Sequence, residues 1–138
     1  MTFIDTNACL DLLVKRSPWN GVVEQIIQFH IQNNIEMGVS VISIPTLAYL
    51  IDRHHKQYDS KEVLREFSEF VDFLKVDSDQ SMSSILSNWN DLEDAMQFYC
   101  ASSHNAQMII TRNTKDFKLS TIPVFHPKEW AKTFIENA

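Results

Sequence analysis

The chain has 138 residues, enough for one domain with a proper core, and a single domain over residues 1–138 is expected. With 44% hydrophobic residues and only 2 Gly and 4 Pro, it is neither disordered nor low in complexity. A net charge of −6 argues against broad nucleic-acid binding through a basic face, but not against a metal site, where a bound cation reverses the local field.

Thr2-Phe3-Ile4 reads as a short buried strand. The polar turn Asp5-Thr6-Asn7 follows at once, then Leu10, Leu13 and Val14 at helical spacing. Residues 17–21 form a loop, and Val22, Val23, Ile26, Ile27, His30 and Ile31 share one face of the next helix. Residues 37–44 are rich in β-branched side chains and contain the second strand, and Pro45 suits the first turn of the helix after it. Val63, Leu64, Phe67, Phe70, Val71 and Leu74 repeat as an amphipathic helix, with a third strand expected at Lys75-Val76-Asp77. Helices follow over 78–89 and 91–103, the latter with Leu92, Ala95, Met96 and Tyr99 on its apolar face. A strand over 107–111, an edge strand at 122–125 and a closing helix from Pro127 complete the chain. Short apolar strands alternating with helices predict an α/β fold, a mostly parallel sheet covered on both faces.

The 2 Cys, Cys9 and Cys100, read as buried thiols on helices. No apolar run approaches the ~18 residues of a membrane span. The N-terminus carries no basic segment followed by a long apolar stretch, so a soluble, cytoplasmic protein without a membrane partner is expected.

Sites in such folds form beyond the carboxyl ends of the strands. Asp5 directly follows the first strand, Asp116 follows the strand over 107–111 by a short turn, and Asp94 opens the helix over 91–103. Three carboxylates distant in sequence thus reach one rim. Clustered like charges are poorly explained by stability, whereas Mg²⁺ or Mn²⁺ takes a few carboxylates and activates water against a phosphodiester. Each acid also has a structural role open to it. Asp5 caps the first helix or ligates; Asp91 caps the helix that holds Asp94; Glu93 points about 100° away from Asp94; Asp116 alone is an ordinary turn residue. A metal-dependent phosphatase with Asp5 as nucleophile is a further reading, but such enzymes place a second acid two residues on, where this chain has Asn7. Arg112, Lys115 and Lys118 around Asp116 are candidate contacts for a nucleic-acid backbone. Trp19, Trp89 and Trp130 read as core or interface anchors, His104 and His126 as structural or surface residues, and the basic group at His54-His55 as a helix C-terminus.

Phe3-Ile4-Asp5-Thr6-Asn7, Asp91-Leu92-Glu93-Asp94-Ala95 and Ile109-Ile110-Thr111-Arg112-Asn113-Thr114-Lys115-Asp116-Phe117 stand in an order and spacing that resembles a PIN domain, the nuclease fold of VapC-type toxins. The resemblance spans nearly the whole chain. It implies a three-layer α/β/α sandwich and divalent-metal-dependent cleavage of RNA, with Asp5, Asp94 and Asp116 as metal-binding acids. Asn7 and Asn113 match polar positions beside them and Thr111 a supporting hydroxyl; Asn7, Thr111, Arg112, Asn113 and Lys115 are the substrate-side candidates. It also implies the toxin half of a toxin–antitoxin pair, a homodimer silenced by a small antitoxin. One departure stands out. Many PIN nucleases carry a glutamate early in the helix after the second strand, where this chain has Thr46. Asp91 or Glu93 then supplies the missing charge, or the site holds one metal weakly, or the nuclease activity is reduced; a PIN-like binding module without catalysis is the alternative reading.

Overall fold

The computed structural model describes residues 1–137. Among them, five strands form one sheet: β1 (Thr2–Ile4), β2 (Met37–Ser40), β3 (Asp72–Leu74), β4 (Met108–Ile110) and β5 (Val124–Phe125). The spatial order is β3-β2-β1-β4-β5, and every neighbouring pair is parallel. Seven helices cover it: α1 (Thr6–Leu13), α2 (Asn20–Gln32), α3 (Ser43–His54), α4 (Ser60–Phe67), α5 (Ser78–Leu86), α6 (Leu92–Ser103) and α7 (Pro127–Ala131), the last continuing as a π turn. This is the expected α/β/α sandwich, with the sheet parallel throughout.

Strand alternation sorts the core into two layers. Phe3 and Ile109 face one side, with Phe98, Cys100 and Ala101 of α6. Ile4 and Val39 face the other, with Ala8, Cys9 and Leu10 of α1, Leu47 and Ile51 of α3, and Phe67 of α4. Ile110 extends that second side onto Ile26 of α2 and Trp130 of α7. Cys9 and Cys100 are both buried free thiols, as expected. His30 is fully buried: its Nδ1 meets the Ile26 carbonyl at 2.7 Å, its Nε2 the Thr2 hydroxyl at 2.9 Å, and its ring stacks on Trp130.

Helix ends follow local chemistry. The carboxylates of Asp5, Asp59, Asp77 and Asp91 accept backbone N–H bonds at the starts of α1, α4, α5 and α6. His126 caps α7, with Pro127 in its first turn. Asn34 and Asn105, just past α2 and α6, take the left-handed conformation that asparagine tolerates. His104 Nε2 donates to the Lys75 carbonyl, 2.9 Å away, so His104 and His126 are both structural.

Three expectations are corrected. The amphipathic helix stops at Phe67, so Phe70 and Val71 lie in a turn and Leu74 in a strand. The third strand accordingly lies at Asp72–Leu74, not at residues 75–77, because it is placed by pairing with Gly38, Val39 and Ser40 of β2. Three residues assigned to buried faces are exposed, Ile31 and Phe70 at 47% and Leu92 at 53%; on α6 the core takes Gln97 and Phe98 instead. No helix among the described residues is long and apolar enough to cross a membrane.

The order of the strands places the site. The chain steps outward from β1 through β2 to β3, then crosses to β4 on the other flank of β1. The connections from the carboxyl ends of β1 and β4 therefore diverge, and a crevice opens between them.

Candidate active site

Asp5 leaves β1 at that crevice and is only 4% exposed. Its Oδ1 accepts the Thr6 N–H at 2.9 Å, so it caps α1; its Oδ2 accepts from the Asn7 amide at 3.1 Å and the Thr111 hydroxyl at 2.7 Å. Thr111, the first residue past β4, has no solvent exposure. Its oxygen accepts in turn from the Asn7 amide and the Asn113 N–H, each at 3.1 Å, while Asn7 Oδ1 accepts the Arg112 N–H at 3.1 Å. Two strand ends are thereby locked around one carboxylate. Burial pushes Asp5 up to about 6, against the opposing bonds from Thr111 and Thr6, and the charges of Glu93 and Asp91 raise it further.

Asp5 shares one cleft, about 380 Å³ in volume, with Asn7, Asp91, Glu93, Asp94, Asn113 and Asp116. Asp91 caps α6 by accepting the Asp94 N–H at 2.9 Å, which sets Asp94 in the first turn. Asp116 sits exposed on the 3₁₀ turn Thr114–Phe117, anchored by buried Phe117. Burial, then the charges of Asp91, Asp5, Asp116 and Glu93, push Asp94 up to about 7. The five predicted acids are therefore brought together, close enough to repel one another.

The donor set suits a hard divalent cation. It consists of carboxylates with amide and hydroxyl oxygens beside them; burial first, and then the neighbouring negative charges, raise the pKa of Asp5 and Asp94, and a bound cation would relieve both. As the side chains stand, no group of three or more His, Cys, Asp or Glu among the described residues is gathered tightly enough to ligate one ion. The acids line a common wall, with Asp5 rigid and Asp116 on the surface.

Thr46 lines the same cleft from α3, its hydroxyl turned back to the Ile42 carbonyl at 3.4 Å. No acid comes from that side. Asp91 and Glu93 line the cleft from the start of α6, and both act electrostatically on Asp5.

The substrate-side candidates separate. Asn113 and Lys115 are exposed at the cleft. Asn7 lines it but has its amide committed to Asp5, Thr111 and Arg112. Thr111 lies behind Asp5 rather than in the cleft. Arg112 turns away: its Nε and Nη2 meet Asp11 Oδ2 at 2.6 Å and Oδ1 at 3.3 Å, and its guanidinium lies 4.1 Å from the Trp19 ring centroid.

Sequence reasoning missed two supports. Asp11 of α1 is fully buried and holds Arg112 together with Arg16, whose Nε lies at 3.5 Å. Its pKa is raised above the usual carboxylate value, burial outweighing the two arginines. Beneath the cleft, Gln97 Nε2 donates to Thr6 Oγ1 and Ser43 Oγ, each at 3.0 Å, and those hydroxyls lie 2.7 Å apart. Thr6 adjoins Asp5, and Gln97 stands one turn after Asp94, so this buried amide ties the two acids' backbones together. The only sequence signal was a polar residue at each position inside an apolar run.

The description "PIN domain" matches residues 1–115 of the chain. "Ribonuclease VapC1" of Aquifex aeolicus is 26% identical over 135 residues, covering 94% of this chain and 92% of that protein. Two solved structures share the fold at lower identity. A toxin–antitoxin complex from Klebsiella pneumoniae has a TM-score of 0.68 at 22% identity, over 92% of this chain and 98% of that one. VapBC2 from Rickettsia felis, bound to a DNA fragment from its promoter, has a TM-score of 0.63 at 18% identity, over 91% and 98%. With the family description covering most of the sequence and the cleft acids at the strand ends, the chain belongs to the PIN domain family.

Proposed function

We propose that the protein is a divalent-metal-dependent endoribonuclease and the toxin component of a toxin–antitoxin pair. The observation that carries this reading is the convergence of Asp5, Asp91, Glu93, Asp94 and Asp116 on one cleft at the switch point of a PIN-family sheet. Asp5, Asp94 and Asp116 hold Mg²⁺ or Mn²⁺. When bound, the ion supplies Lewis acidity towards water and towards charge developing on a phosphodiester. The chain's own residues do the positioning. Thr111 and Asn7 fix the Asp5 carboxylate, and Asp91 sets the first turn that presents Asp94. Without the ion Asp94 titrates near 7, so taking up the cation displaces its proton. Glu93 or Asp91 takes the part of the acid absent at Thr46 and orients the attacking water. Asn113 and Lys115 contact the RNA.

The similarity to a protein named as a ribonuclease, and to chains solved in toxin–antitoxin complexes, supports the reading and suggests a small antitoxin as partner. We take the whole of 1–138 as one nuclease domain that acts in the cytoplasm as a homodimer. A PIN-like binding module without catalysis is the second reading, favoured by one observation, that the acids do not stand in a preformed ligand cage.

Cleavage of mixed cellular RNA with Mg²⁺ or Mn²⁺, and with chelator, tests the proposal. Metal-dependent cleavage by the wild type, lost by a factor of at least about 100 in both Asp94→Asn and Asp116→Asn, is the expected result. A folded wild type that cuts no RNA with either metal would transfer the assignment to the binding module.

A further inference from the structure

The acid cleft does not end at Asp116. Asp91, Asp94 and Asp116 also border a second depression of about 420 Å³, so the two hollows share one acidic wall. The far part differs in chemistry: Asn88, Asn90, Lys115, Lys118 and Leu119 line it around Trp89. Its volume falls within the range of about 300–1,000 Å³ typical of small-molecule sites.

The cations around the two hollows are unequally available. Arg112 and Arg16 are tied to buried Asp11 and lie over Trp19. Lys115 and Lys118 are exposed, and neither is among the salt-bridged residues, which are Arg16, Arg65 and Arg112 among the described residues. On a chain of net charge −6, the free positive charge beside the acid site thus lies on one side only.

The same side presents base-reading groups on a rigid support. Trp89 stacks on Phe98 at 5.2 Å and meets Phe117 edge-on at 5.4 Å, so its ring is an anchor and not an open stacking platform. The Ser87 hydroxyl donates to the Ser84 carbonyl at 2.7 Å and accepts the Trp89 N–H at 3.3 Å. Asn88 and Asn90, on either side of the pinned tryptophan, are exposed, and their side chains enter none of these bonds. Each amide offers both donor and acceptor to a base edge. In the same depression Leu119, 53% exposed, offers an apolar surface to a base face.

We propose that this shelf is the subsite for one unpaired nucleotide next to the scissile phosphate, with Lys115 and Lys118 on its phosphate, Asn88 and Asn90 on its base edge and Leu119 against its face. The inference rests on the nuclease reading and adds to it the residues that seat a nucleotide on the lysine side of the acid site. The shelf favours an unpaired base, because pairing occupies the Watson–Crick edge that Asn88 and Asn90 would read.

The test is binding of a short fluorescein-labelled single-stranded RNA of mixed sequence, in chelator at low salt, followed by anisotropy. Cleavage by the wild type with Mn²⁺ is measured separately and reads the nuclease proposal alone. The Lys115→Gln/Lys118→Gln variant is expected to bind at least about tenfold more weakly, with a salt slope smaller by about 2. Lys56→Gln, which removes an exposed charge at the far end of α3, should bind as the wild type does. Asn90→Ala should keep the salt slope and lose discrimination among oligonucleotides that differ at one base. The shelf is overturned if the double lysine variant binds like Lys56→Gln, if a hairpin-closed duplex binds as well as the single strand, or if the wild type binds no RNA in chelator. The first two outcomes leave a cleaving wild type, and so the nuclease reading, intact.

Discussion

Asp11 and Arg112 decide how the β4 loop is held, and their energetics differ from those of the cleft acids. A buried carboxylate stripped of its bidentate partner keeps only the looser contact to Arg16 at 3.5 Å, at a cost of up to about 3–5 kcal/mol. Arg112→Met should lose that much in urea unfolding, and pairing it with Asp11→Leu should recover most of the loss. If Arg112→Met unfolded like the wild type and instead weakened only RNA binding, the arginine would be a substrate contact after all. The cleft acids were legible because each is a carboxylate directly after a strand or at a helix start, where sequence position and chemistry coincide. Asp11 and Gln97 were not, because what defines them is distant. Arg112 lies 101 residues from Asp11, and Thr6 and Ser43 lie 91 and 54 residues from Gln97.

Two helix caps show how the site bears on its elements. Asp59 caps α4 through the Lys61 and Glu62 N–H groups on the exposed surface, and Asp59→Ala should cost about 1 kcal/mol. Asp91 makes the same kind of cap for α6, yet its charge is the largest electrostatic contribution raising Asp94. Asp91→Ala loses the cap and also relieves that repulsion, so in chelator it should destabilise less than Asp59→Ala does. Denaturant titrations of the two variants side by side check this; equal losses would mean that the cleft charges do not strain the fold. Elements with a local signature were readable throughout. The exception was β3, where Phe70, Val71, Phe73 and Leu74 satisfy both helical and strand spacing. What decides between them is pairing with β2, a contact that no local pattern encodes.

At the scale of the whole molecule, the fold gathers charge that it must compensate. Unfolded aspartates titrate near 3.8, whereas Asp5 titrates at about 6 and Asp94 at about 7 in the folded protein. Between those values the folded state binds more protons, so this contribution to stability is complete below about pH 4 and is lost as pH rises through 6 and 7. Buried His30 works in the opposite sense, its pKa lowered by burial, so its contribution falls away as pH drops below 6.5. The difference between wild type and Asp94→Asn isolates the carboxylate. In chelator the melting temperature of the wild type should fall further between pH 5 and 8 than that of the variant, and saturating Mn²⁺ should remove the difference. Parallel curves would contradict the electrostatic reading. The parallel sheet and its switch point were legible from the alternation of short apolar strands with helices, which also indicated the carboxyl edge as the place to look. How closely the acids approach one another was not, since that depends on the packing of α6 against the sheet.

The central claim is that these acids form a divalent-cation site. Calorimetric titration of the chelator-treated protein with Mn²⁺, above the Asp94 pKa of about 7, tests it most directly. Saturable binding by the wild type, weakened at least about tenfold in Asp94→Asn, is the predicted result. Absence of binding to the wild type, or equal binding by the variant, would contradict it.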